Sequence, residues 1–184
     1  MPYSRALLSI LLATTTFAHA DWPTFRGPNG DGSVPPNKDG SPRTLPTEWS
    51  EDKNIAWKTE VAGRAWSTPA VGGKKIWLTN ATEDGTRMSV VCLDLETGKK
   101  LHDQVLFENA KPEPLGNPVN GYGSPSPAVE PGRAYIHFGS YGTACLDTDN
   151  YKVIWQRRDL PCRHYRGPGS SPVLWKDTLI LTMD

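Results

Sequence analysis

The chain has 184 residues, with 20 Lys and Arg against 20 Asp and Glu and a formal net charge of zero, so its overall charge gives no sign of nucleic acid or of an anionic membrane surface as a partner. Seventeen glycines and seventeen prolines break the sequence into short apolar runs. That spacing excludes long helices and predicts a turn-rich, all-β chain.

Residues 1–20 are of another kind. Arg5 and the amino terminus supply positive charge, Ala6 to Ala13 is mostly apolar, and Ala18-His19-Ala20 has the small-x-small form of a cleavage site. This is the pattern of a secretory signal peptide, which predicts a mature chain starting at Asp21 and an exported protein, periplasmic or secreted. The apolar run is short for a bilayer span, no cysteine stands at the cleavage point to carry lipid, and no later segment is apolar enough to span a membrane. Residues 21–53 open with Trp22-Pro23-Thr24-Phe25-Arg26-Gly27-Pro28 and stay rich in Gly, Pro, Asp and Ser. They are expected to form an extended N-terminal arm, with Trp22 and Phe25 as its anchors.

From residue 54 onward the chain repeats itself. The central copy reads Ser126-Pro127-Ala128-Val129, Arg133 to Phe138, Thr143-Ala144-Cys145-Leu146-Asp147 and Val153-Ile154-Trp155. An upstream copy reads Ser67-Thr68-Pro69-Ala70-Val71, Lys75 to Thr79, Val91-Cys92-Leu93-Asp94 and Thr97-Gly98-Lys99, and a third opens at Ser171-Pro172-Val173. The expected strands are 67–72, 75–80, 88–94 and 99–107 in a first blade, 126–130, 134–139, 142–147 and 152–158 in a second, and a partial blade over 170–184. Residues 54–61 match a fourth strand, with Trp57 aligned on Trp155, and so read as an orphan strand that completes a last blade and closes a ring. Runs such as Ile76-Trp77-Leu78 are apolar on both faces of a pleat, so each sheet must be covered on both sides. Asp94 and Asp147 mark the same hairpin turn, where Gly98 is free to take positive φ. Tyr151 falls where Gly98 stood, so either Asn150 takes the left-handed role or that turn differs.

These motifs resemble the repeat of pyrroloquinoline-quinone-like β-propellers over residues 54–184, and the Trp-Pro-Thr-Phe-Arg-Gly-Pro arm resembles the start of exported bacterial propellers of this type. The resemblance implies a β-propeller of four-stranded blades. Such rings contain more blades than the repeats present, so the sequence is expected to be an incomplete N-terminal fragment with two full blades and part of a third. Two functions are implied. The preferred one is a non-catalytic binding or scaffold protein that needs no cofactor and acts through its loop face. The alternative is a quinone-dependent dehydrogenase of sugars or alcohols, holding pyrroloquinoline quinone with calcium. Neither the adjacent cysteine pair frequent in those dehydrogenases nor a Cys-x-x-Cys-His haem attachment occurs, which tilts the reading away from an enzyme.

In a propeller, connections from a fourth strand to the next first strand share one face. Here these are 62–66, 108–122 and 159–169, carrying Arg64, Trp66, Asn117, Asn120, Tyr122, Arg163, His164, Tyr165 and Arg166. Guanidinium forks suit carboxylate or phosphate oxygens and aromatic rings suit a flat ligand or a peptide, so the expected partner is a protein or a small anionic ligand. The blander reading has these arginines paired with local acids. No two of His102, His137 and His164 stand at metal-ligand spacing, and no metal ligand is expected. Ser67, Ser126 and Ser171 point to a shared backbone role. Cys92, Cys145 and Cys162 leave the pairing open, with buried thiols in strands favoured for the first two.

Overall fold

The computed structural model describes residues 21–183 apart from Ala65 and Asn117. The expected signal peptide therefore lies outside the described residues. Among the described residues ten strands are formed: β1 (Ala70–Gly72), β2 (Lys75–Ala81), β3 (Arg87–Asp94), β4 (Lys100–Glu108), β5 (Ala128–Glu130), β6 (Arg133–His137), β7 (Thr143–Asp147), β8 (Val153–Arg157), β9 (Val173–Trp175) and β10 (Thr178–Ile180). They make two antiparallel four-stranded sheets in the orders β1-β2-β3-β4 and β5-β6-β7-β8, and a β9-β10 pair. Each sheet is a propeller blade, and the chain is all-β as its turn density predicts.

The blades stack because their central strands have no polar face. Trp77, Val90 and Cys92 of the first blade are sealed against Val129, Ala134, Ile136 and Leu146 of the second. The opposite face of the second blade, with Ala128, Tyr135 and Cys145, packs on Leu174 and Leu179 of the third. Burying side chains of this size from both faces stabilises the stack by about 1.5–3 kcal/mol each, before the entropy of ordering them. Cys92 and Cys145 fill equivalent places in β3 and β7, and both are buried free thiols. Burial pushes the Cys92 thiol up to about 12 and that of Cys145 up to about 11, so both stay protonated and inert.

Polar links repeat with the blades. The Thr68 N–H donates to Ser126 Oγ at 2.8 Å, and the Ser126 N–H donates to Ser171 Oγ at 2.9 Å. The hydroxyls of Ser126 and Ser171 thus each satisfy a backbone donor of the blade before, whereas Ser67, expected to share one backbone role with them, bonds the N–H and C=O of Thr79 within its own blade at 3.2 Å. A proline follows each of Thr68, Ser126 and Ser171 just ahead of the first strand, Pro69, Pro127 and Pro172, and its missing N–H takes nothing from this chain of bonds.

The hairpins closing the blades follow one scheme. Asp94 Oδ1 accepts from the Glu96 and Thr97 N–H groups and from Thr97 Oγ1, while the Gly98 N–H donates to Asp94 O. Asp147 Oδ1 accepts from the Asp149 and Asn150 N–H groups, and the Tyr151 N–H donates to Asp147 O. The Thr97 hydroxyl and the Asn150 N–H lead the contacts that hold Asp94 and Asp147, respectively, below the usual carboxylate range.

The Tyr151 turn departs from both alternatives drawn from the sequence. Tyr151 itself adopts φ 62°, matching φ 70° at Gly98, and Asn150 does not take the left-handed place. Each of the two positions faces whatever precedes its blade. Gly98 lies beneath the Trp57 ring, where a side chain would clash. Tyr151 instead stacks on His102 of the first blade at 4.7 Å and 9°, with Lys75 Nζ 5.0 Å from its ring centre. Contacts to the aromatic ring offset a backbone conformation that is costly for a side chain with Cβ.

Residues 54–61 join no ladder and run extended over the outer face of the first blade. Trp57 and Val61 cover Ile76, Val91 and Leu93. The Trp57 Nε1–H donates to Leu95 O at 3.2 Å and the Thr59 hydroxyl to Gly98 O at 2.6 Å. In the arm, Trp22 is half-buried and bridged to Val71, whereas Phe25 is exposed and anchors nothing.

Replacing Tyr151 separates the two terms. Tyr151→Ala is expected to destabilise the chain by about 1–2 kcal/mol, and Tyr151→Gly to recover about 1 kcal/mol of that loss because glycine pays no left-handed penalty. Denaturant unfolding of both variants checks this, and a glycine variant less stable than the alanine one contradicts it.

Candidate functional site

The connections 62–66, 108–122 and 159–169 lie at one end of the blades, and the β2–β3 and β6–β7 turns lie there with them. Arg64 is held by backbone hydrogen bonds to Ala81, and its guanidinium sits 3.1 Å from Glu83 in the β2–β3 turn. In that turn Asp84 accepts from the Thr82 hydroxyl and from the Thr86 N–H and hydroxyl, which draw its carboxyl down to about 2. Trp66 is 56% exposed and its ring lies over Gly121.

The two longer connections are docked on each other. The Gly116 N–H donates to Tyr165 O at 2.7 Å, and Asn120 Nδ2 donates to Arg166 O at 2.7 Å. Asn117 lies outside the described residues. Tyr122 is buried beside Gly85, meets Tyr141 edge-on at 5.8 Å, and donates its hydroxyl to Glu113 O at 2.6 Å. His164 is buried as well. Its N–H donates to Glu113 Oε2 at 2.8 Å, and its Nε2 accepts from the Ser140 N–H at 2.8 Å, so that nitrogen carries no proton.

The structure therefore divides the expected site residues into two sets. Tyr122 and His164, read from the sequence as open contact groups, are spent on pinning the loops, because their polar ends find backbone partners inside the cluster. Trp66, Tyr165, Arg163 and Arg166 stay at the surface, Tyr165 with 72% of its area exposed. Arg64 has Glu83 as an acid partner and Arg157 has Asp159, but neither Arg163 nor Arg166 is paired with an acid among the described residues.

Glu113 is the residue that sequence reasoning missed. It ties together His164, Tyr122 and, through its own N–H at 3.1 Å, the Tyr141 hydroxyl. Its one signal in the chain is the Pro112-Glu113-Pro114 triplet, whose flanking prolines stiffen the backbone and leave Glu113 the local N–H. The tyrosine and histidine of the β6–β7 turn region carry no motif and become visible only when the loops meet. Asn80-Ala81-Thr82 has the form of a glycosylation sequon, but Asn80 is buried and its side-chain amide donates to Ala62 O.

Among the described residues no three His, Cys, Asp or Glu side chains converge as a cation would require.

No family model matches the chain, and no curated protein matches it. Solved structures do. The crystal structure of BamB from Moraxella catarrhalis is 19% identical over 67% of this chain and 32% of that chain, with a TM-score of 0.48. A europium-containing methanol dehydrogenase is 16% identical over 68% of this chain and 21% of that chain, with a TM-score of 0.51. The chain thus spans about a third and about a fifth of these two proteins. At such identity the likeness to the dehydrogenase structure speaks for the fold alone.

Beneath the loops, His137 of β6 is 1% exposed and its Nδ1 lies 2.8 Å from the Thr143 hydroxyl. Burial, aided by the neighbouring His164, lowers its pKa to about 4. The unfolded chain, with an ordinary histidine near 6.5, takes the proton first, so the stability from keeping His137 neutral is present above about pH 6.5 and lost as pH falls towards 4. The expected loss is about 3 kcal/mol over that interval. Unfolding free energies at pH 4 to 7 measure it, and His137→Gln should flatten the slope; an unchanged slope contradicts the assignment.

Proposed function

We propose that this chain belongs to an exported propeller that binds a protein or a small anionic ligand through its loop face, without catalysis at that face. The observation that supports it is the pair of unpaired guanidinium groups, Arg163 and Arg166, beside the exposed rings of Trp66 and Tyr165 on connections pinned from below. A cation held ready by a rigid loop loses little entropy on binding, and its fork suits carboxylate or phosphate oxygens. The amino-terminal pattern of residues 1–20 supports export.

Residues 54–61 take the place of a fourth strand in a blade that precedes the first. Trp57 lies against Gly98 as His102 lies against Tyr151, and Trp57, His102 and Trp155 are equivalent in the repeat. The segment is suited to joining the third strand of a last blade and so closing the ring.

Arg163→Ala with Arg166→Ala is expected to weaken binding of an acidic peptide or of citrate at least tenfold by isothermal titration, with the fold unchanged by circular dichroism. Equal affinity for the double variant removes the proposal. Pyrroloquinoline quinone with calcium, titrated in parallel, is expected to give no binding at micromolar protein; tight binding with turnover of a sugar or alcohol would overturn the non-catalytic reading.

A further inference from the structure

The first strand of each blade has one edge on its neighbour and one edge open. In β1, Val71 turns its N–H and C=O to the open edge, and Trp22 takes both, at 2.8 and 2.9 Å. In β5 the equivalent residue, Val129, donates its N–H to Pro23 O at 2.8 Å. Asp21 Oδ1 accepts from the Gly73 N–H at 3.1 Å. Three consecutive residues of the arm thus make hydrogen bonds to two blades, mostly through backbone atoms, as a strand does when it is added to a sheet edge. Pro23 fits because only its carbonyl is used.

The arm brings its own local structure to this track. Its 24–27 turn is closed by the Gly27 N–H on Thr24 O and by the Thr24 hydroxyl on Gly27 O, both 3.0 Å. Gly27, at φ 73°, lies directly under the Trp22 ring, where a Cβ would meet three ring atoms at 2.8 Å. Residues 28–53 are almost wholly exposed, with hydrogen bonds that are local, such as Asn37 with Ser41 and Ser50 with Lys53. A stretch of that length behaves as a tether with an r.m.s. reach of roughly 28 Å, which holds the arm at about millimolar effective concentration. Beside Asp21 and Pro23 a cleft of about 540 Å³ continues between Gly72, Lys75, Val129 and Asp149. It opens at the end of the blades opposite the loop site. In the third blade Leu174 occupies the same register as Val71 and Val129, and its outward backbone groups have no partner among the described residues.

We propose that the open edges of β1 and β5 form a peptide-binding track, distinct from the loop face, whose ligand is an extended aromatic-proline segment and whose resident occupant is this chain's own residues 21–27, held there as a tethered and replaceable ligand. The indole supplies the half-buried ring over Gly27, the following proline its carbonyl, and the preceding aspartate the acceptor for Gly73. Any competing segment must offer the same three features and outcompete the tether.

A site-specific protease sequence inserted between Arg43 and Thr44, within the exposed tether, tests this on the full chain. After cleavage the N-terminal fragment is expected to co-elute with the body on size exclusion at micromolar concentration. Excess acetylated Asp-Trp-Pro-Thr-Phe-Arg-Gly peptide should displace it, and the same peptide with alanine for tryptophan should be at least tenfold weaker. Amide exchange gives a second reading: after displacement of the fragment the Val71, Gly73 and Val129 amides stay protected only while the heptapeptide is present, and the β3–β4 ladder stays protected throughout. Immediate separation of the fragment from a body whose ladder amides remain protected overturns the proposal. So does a fragment that no concentration of heptapeptide up to millimolar displaces, which would make the arm a fixed part of the fold.

Discussion

Burial from both sides is the constraint on which the rest of the molecule depends. A sheet with one polar face can end in water, but β2, β3, β6 and β7 carry large apolar groups on both, Trp77 against Ile76 and Tyr135 against Ile136. Each blade must therefore be sandwiched, and the sandwich sets where everything else lies. It brings the first strands side by side, so that the Ser126 and Ser171 hydroxyls can each reach a backbone donor of the blade before. It also lines up the connections at one end and the tight hairpins at the other. The arm and the 54–61 segment settle on the two kinds of surface that this stacking leaves open, the inner strand edges and the outer face of the first blade.

Within that frame the repeats are equal in backbone and unequal in chemistry. The position after the Asp turn is left-handed in both blades, yet it is glycine under Trp57 in one and tyrosine over His102 in the other. What decides the residue is the bulk of the group in the preceding layer: an indole leaves no room for a side chain, and an imidazole leaves room for a stacked phenol. Thr79 and His137 are a similar pair. The Thr79 hydroxyl donates to Pro125 O across the blade interface at 2.6 Å, whereas His137 turns to Thr143 within its own blade. The exchange places a titratable group where burial keeps it neutral.

The loop face separates support from contact. Polar groups able to reach backbone atoms, the Tyr122 hydroxyl, His164 and Glu113, are drawn inward and satisfied. The guanidinium groups of Arg163 and Arg166 are paired with no acid among the described residues and lie at the exposed surface. A buried polar network with its hydrogen bonds made is rigid, and a rigid base lets surface cations be placed without being paired. At the opposite end the Trp22 bridge is carried by backbone edges, with the half-buried indole packed over Gly27.

Most of the strand pattern was legible in the chain, because alternating two-sided apolar runs between Asp, Gly and Pro turns allow few other architectures: β2, β4, β6 and β8 form within a residue or two of the expected positions. The turn aspartates, the buried cysteines and the backbone role of Ser126 and Ser171, though not the different bonding of Ser67, were legible for the same reason, since each depends on neighbours a few residues away or on the repeat itself. Tyr151, Glu113 and the inward turn of His164 were not. Their conformations are set by groups that are remote along the chain, His102 for Tyr151 and Ser140 and Glu113 for His164, and no local pattern encodes which distant atom arrives. The sequence by itself determined the blade, because a blade is a local agreement of periodicity and turn chemistry; only the tertiary structure decided which loop residues are pillars and which are open, because that depends on which polar atoms come within hydrogen-bond reach once the layers have stacked.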